Sequence, residues 1–149
     1  MSLTSIFSIT GPLALVGWCM LITVPRWKQT SILVFNFIVV LFAMAYLGLI
    51  MANFGHFNPL TDFSSLDSIS TLFENRSLLL AGWIHYLAFD LIIGLLITEH
   101  SLKNNGNSQL LVLCQLLTFL LGPIGFLLYY ISAIIKQKTA APQIIEVKE

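Results

Sequence analysis

Four stretches of the chain are almost purely apolar: Leu3 to Val24, Ile32 to Ala52, Leu78 to Thr98 and Leu110 to Ile135. Each is long enough to cross a hydrocarbon core, which takes roughly 20 residues of helix. The second, with VFNFIVVLFAMAYLGLI, is apolar on every face. A membrane barrel would show short segments alternating apolar and polar instead, so the pattern predicts helices. The start MSLTSIFSIT has no basic region, and no small-x-small cleavage pattern follows the first apolar run, so that run is read as a helix rather than a leader. Gly11-Pro12 within it marks either a kink or the true first turn.

Polar connections separate the runs. PRWKQT and HSLKNNGNSQ are short and fall on one membrane face. Both termini and the loop GHFNPLTDFSSLDSISTLFENRS fall on the other. Within that loop Phe63, Leu66, Ile69 and Phe73 recur every three or four residues and predict a short interfacial helix. Ser64 with Asp67 and Thr71 with Glu74 have the spacing of capping boxes. The expected fold is all-α, a four-transmembrane-helix bundle over residues 1–135 with an interfacial helix between helices two and three. Residues 136–149 form a polar, disordered tail.

Composition agrees with this reading. Of 149 residues, 57% are hydrophobic and 9% charged, and the mean hydropathy is +0.89, far from a soluble domain. The protein is expected to be a multi-pass integral membrane protein, in a plasma or inner membrane or a photosynthetic one. The expected partner is a lipid or carotenoid and no nucleic acid; an oligomer is compatible with the sequence but not readable from it. Arg26, Lys28 and Lys103 on one face balance Arg76, Lys136 and Lys138 on the other, so the positive-inside rule assigns no orientation. Cys19 and Cys114 lie at matching depth and are read as packing residues. No metal-ligand spacing, phosphate-binding glycine loop or nucleophile elbow is present, and no cofactor is expected. Asn75-Arg76-Ser77 fits the glycosylation pattern but abuts a membrane helix, and chance explains it.

The chemistry is concentrated in GWIHYLAFDL, residues 82–91, where His85 and Asp90 interrupt an apolar run. Charge at the bilayer centre costs at least ~2.5 kcal/mol, so Asp90 is tolerable there as a neutral, hydrogen-bonded acid. Tyr86 and Gly94 flank it at four residues on either side and share its face. His85, five residues away, is turned by roughly 140° and does not share a narrow stripe with Asp90. Gln115, Thr118, Gly122, Gly125 and Tyr129 form a small and polar stripe in the fourth run. Pro123 leaves the Phe119 carbonyl without its helical donor. Trp18, Tyr46 and Asn36 stand at comparable depths on the first two helices. The candidate acid and base are Asp90 and His85, and the candidate ligand-binding residues are Trp18, Tyr46, Trp83, Tyr86, Thr118, Gly122 and Pro123. Packing and structural hydrogen bonding account for the same residues equally well at this level.

Three blocks, GWCMLITVPRW, SSLDSISTLFENRSLLLAGWIHYLAFDL and LLTFLLGPIGFLLYY, resemble the abscisic-acid-deficient-four-like family, whose plant members are linked to neoxanthin synthesis. The resemblance spans nearly the whole chain. It implies that His85 and Asp90 match the family's His and Asp in helix three, and that Gly122-Pro123 with Gly125 match its helix-four motif. Gly94-Leu95-Leu96 stands where bacterial-type members carry an Arg, so no second intramembrane charge is carried over. The activity implied is an isomerisation in which a 5,6-epoxide opens to a hydroxyl while the adjacent polyene loses a proton to form an allene. In that chemistry Asp90 would be the acid and His85 the base. The other reading is non-enzymatic: a four-helix binder of lipid or carotenoid, or a small subunit of a membrane assembly.

Overall fold

The computed structural model describes residues 2–56 and 58–137. Among them are seven α-helices and no strand: α1 (Leu3–Thr23), α2 (Lys28–Ala52), α3 (Pro59–Asp62), α4 (Leu66–Glu74), α5 (Arg76–Lys103), α6 (Ser108–Leu121) and α7 (Pro123–Gln137). Helices α1, α2 and α5 are long and apolar enough to cross a membrane. The expected tail beyond Gln137 lies outside the described residues, and α7 itself takes in Lys136 and Gln137.

The fourth apolar run is not one crossing helix. It breaks at Gly122, whose φ of 49° and ψ of −104° suit a residue without a side chain. Pro123 then opens α7, a position that tolerates its missing N–H. The two halves fold back on each other. A Cβ at Gly125 would stand 2.2 Å from the Thr118 amide nitrogen and 2.5 Å from the Cys114 carbonyl oxygen, a backbone approach that only glycine permits. At the far end the Lys136 ammonium donates to the carbonyls of Asn104 (2.9 Å) and Asn105 (2.7 Å), in the turn from which α6 starts. With 14 and 15 residues, α6 and α7 reach only about 21–22 Å, short of a 30 Å core. They form a re-entrant hairpin.

This corrects the expected topology. The start of α1 and the end of α7 lie on opposite faces. It also removes the tie in charge, because Lys136 joins Arg26, Lys28 and Lys103 on one face and leaves Arg76 as the described cation on the other.

Helix α5 is the central element, with Ile84, Leu91 and Ile97 fully buried. It packs on α1 and α2 through Trp18, Leu21, Val34 and Phe42. Close approach is made by glycine: a Cβ at Gly94 would fall 2.6 Å from the Trp18 ring. A π-helical stretch over Val34–Val39 interrupts α2, and Asn36 within it is exposed. Gln115 of the hairpin donates to the Leu21 carbonyl (3.1 Å) and to Thr98 (2.7 Å), joining α6 to α1 and α5. Cys19 is exposed and Cys114 buried, and both are free thiols.

The loop helix is present as α4, whose Phe73 covers Gly82 of α5. Its caps differ from those expected. Ser65, rather than Ser64, accepts from the Ser68 amide, while Ser64 donates to the Thr61 carbonyl and Thr71 lies within the helix. Asn75 of the glycosylation-like triplet caps α5 by accepting from the Ser77 and Leu78 amides. One residue thus ends α4, its backbone N–H donating to the Leu72 carbonyl, and starts α5 with its side chain.

Candidate functional site

Asp90 is fourteen steps along α5 from Arg76, about 21 Å at 1.5 Å per residue and the middle of that 28-residue helix. The hairpin tip reaches the same level. A Cβ at Gly122 would lie 3.1 Å from Asp90 Oδ1, so the acid sits against the bend between α6 and α7. Asp90 is 8% exposed, and its Oδ2 has no hydrogen-bond partner among the described residues. Tyr86 lies one turn earlier on the same face of α5. Its hydroxyl donates to the Phe119 carbonyl (3.4 Å), which Pro123 leaves without a helical donor. The carbonyl freed by Pro123 therefore faces Tyr86, and Tyr86 faces Asp90.

Aromatic rings line the neighbouring turns. Trp18 packs against Phe119 at 5.7 Å between centroids, closing the site on the α1 side. Trp83 lies 5.6 Å from Tyr86 and 6.0 Å from Phe7. Trp83 itself is partly open to the surroundings.

His85 is not part of this cluster. It is exposed, its ring stacked on Phe89 at 4.4 Å, with Tyr46 at 5.7 Å. The helical turn of roughly 140° between residues five apart separates it from Asp90. Of the candidate ligand-binding residues, Gly122 lies against Asp90 and Tyr86 one turn from it, while Trp18 packs on Phe119 and Gly94 and Trp83 on Tyr86. Tyr46 stays with His85, and Thr118 is fully buried with its hydroxyl donated to the Cys114 carbonyl, inside the hairpin. Pro123 is at the tip but points outward, exposed.

Two features were not anticipated. His100, buried at the other end of α5, shares a 2.6 Å hydrogen bond with Tyr129 of α7. A straight fourth helix would carry Tyr129 to the opposite face, so no spacing in the sequence pairs the two. Arg76 lies on the stripe Arg76, Leu80, Trp83, Leu87, Asp90, whose spacing of three and four residues marks one side of α5. That stripe was legible in the sequence.

The fold and site define a multi-pass α-helical membrane protein with a carboxyl group enclosed at mid-depth by a helical hairpin. The profile of the ABA DEFICIENT 4-like (ABA4-like) family matches residues 5–129, and the chain belongs to that family. The matched region takes in Trp18, Asp90, Gly122 and Tyr129. No curated protein and no solved structure matches the chain.

Proposed function

We propose that this protein binds a polyene or carotenoid-type lipid and isomerises it, with Asp90 as the proton donor. The observation that carries the reading is Asp90 itself, a buried carboxyl with an unpartnered oxygen at the tip of the hairpin, with Trp18, Tyr86 and Phe119 on the neighbouring turns. Aromatic and aliphatic walls suit a conjugated chain, and a position away from water strengthens a proton donor. The acid form is the one a bilayer centre tolerates.

On an allylic epoxide the step balances within one carboxyl. Asp90 gives its proton to the epoxide oxygen as a C–O bond breaks. The C–H pair on the adjacent polyene carbon becomes the new π bond of the allene. The released proton passes to the Asp90 carboxylate, so acid is restored and nothing is oxidised or reduced. This assignment follows from the position of His85, whose ring faces Phe89 and Tyr46 on the outside of α5.

The second reading, a carrier of such lipids without turnover, is favoured by the same apolar walls. Purification in mild detergent separates the two. The isomerase account expects a co-purifying or added epoxide-bearing polyene to change its absorbance during incubation. A bound spectrum that stays constant would leave the carrier.

A further inference from the structure

Because the hairpin turns back at Gly122, half of the fourth helix position is not filled by this chain. The vacated half lies between the first turns of α1 and α5, and a cavity of about 390 Å³ occupies it. Its walls are Leu3, Phe7, Leu79, Leu80 and Trp83, with the Thr4 side chain and Arg76 as its polar lining. The side of α5 that carries Arg76, Leu80 and Trp83 continues past Tyr86 and Leu87 to Asp90. A cation at the membrane surface, an apolar wall over the first two turns of α5 and, about 10 Å beyond Trp83, an unpartnered buried carboxyl oxygen thus follow one another along α5.

We infer that this groove binds a single linear amphiphile, its oxygen-bearing polar end on the Arg76 guanidinium and its hydrocarbon chain running past Trp83 toward Tyr86 and Asp90. From Arg76 to Trp83 the groove runs about 10 Å along α5, and Asp90 lies about 10 Å beyond it. The cavity volume falls within the range of ligand pockets, about 300–1,000 Å³. A planar guanidinium holds hydroxyl, carboxylate or phosphate oxygens through several directed N–H donors, which makes Arg76 the residue that selects for a polar end. The groove opens on the face opposite Arg26, Lys28, Lys103 and Lys136. Ligand therefore arrives from one leaflet only. The inference rests on Asp90 as the inner end of the lipid site, and deepens it by naming the shape and polarity of what enters.

Trp83 reports occupancy directly. Trp18 is buried in the core and Trp27 lies at the other face, so quenching lost in Trp83→Phe belongs to the groove. The full-length protein in detergent is titrated with three probes brominated at mid-chain: a fatty acid, the matching fatty alcohol and the matching alkane. The acid and the alcohol are expected to reach half-quenching at about tenfold lower concentration than the alkane, the size of one charge-assisted hydrogen bond. Arg76→Leu is expected to bring both to the alkane's level. Equal quenching by all three probes in the native protein, or an unchanged order in Arg76→Leu, would overturn the assignment. The readout is binding, so it stands or falls separately from turnover at Asp90.

Discussion

Asp90 and Gly122 meet at the middle of the molecule, where a Cβ on the glycine would be 3.1 Å from the carboxyl oxygen of the acid. The bend that ends α6 and the polar group of α5 therefore share one location. Gly122→Ala adds a methyl group there and forces a side chain onto a φ of +49°. Strain of this kind costs ~1–3 kcal/mol. A lowered melting temperature in detergent is the expected result; an unchanged curve would mean that the bend does not hold this geometry.

Gly125 tests the hairpin independently. Its Cβ would collide with the Thr118 amide and the Cys114 carbonyl, both backbone, whereas a Cβ on Gly48 would meet nothing within 4 Å. Gly125→Ala should destabilise strongly. Gly48→Ala should be neutral or stabilise by up to ~1 kcal/mol through helix propensity. The contrast between the two melting curves is the measurement, and similar curves would count against antiparallel packing of α6 and α7.

Topology supplies a third outcome. With Arg26, Lys28, Lys103 and Lys136 on one face, the positive-inside rule puts that face in the cytoplasm or its equivalent compartment. In a background with Cys19 and Cys114 replaced by Ala, single cysteines at Asn105 and Lys136 should react with a membrane-impermeant thiol reagent from the same side. A cysteine at Asp67 should react from the other. Labelling of Asn105 and Lys136 from opposite sides would restore a fourth crossing.

Gln115 couples three helices through the Leu21 carbonyl and Thr98. Interhelical hydrogen bonds in membranes are worth roughly 0.6 kcal/mol each, so Gln115→Leu should cost about 1 kcal/mol. Unfolding in a graded denaturing detergent measures it, and no loss would show that the amide merely fills space.

Much of this fold was legible beforehand, and the exceptions have one cause. The first three apolar runs became helices within a few residues of their expected ends, because continuous apolarity over crossing length admits few other structures. The fourth run has the same apolarity, yet hydropathy does not distinguish a segment that crosses from one that enters and returns. The deciding signal was Gly122-Pro123, a left-handed glycine followed by a proline at a helix start. Read as a break within one helix, it put Tyr129 and Lys136 on the wrong face and left the charges tied. The stripe Gln115, Thr118, Gly122, Gly125, Tyr129 is buried as a stripe would be, but its two halves belong to helices that face each other. At the site, the depth of Asp90 and its closeness to Tyr86 followed from helical periodicity alone. Which way His85 pointed depended on the placement of α2, which no spacing within α5 encodes.

The most direct test compares Asp90→Asn, Tyr86→Phe and His85→Gln in the same membranes, assayed for conversion of an epoxide-bearing polyene to its allenic isomer. Asp90→Asn keeps the shape of the side chain and removes only the transferable proton. Loss of a positioned acid typically lowers a rate ~10²–10⁴-fold. Asp90→Asn is expected to fall by that much with ligand still bound, Tyr86→Phe by less, and His85→Gln to retain near-native turnover. Full activity in a well-folded Asp90→Asn protein would contradict the account.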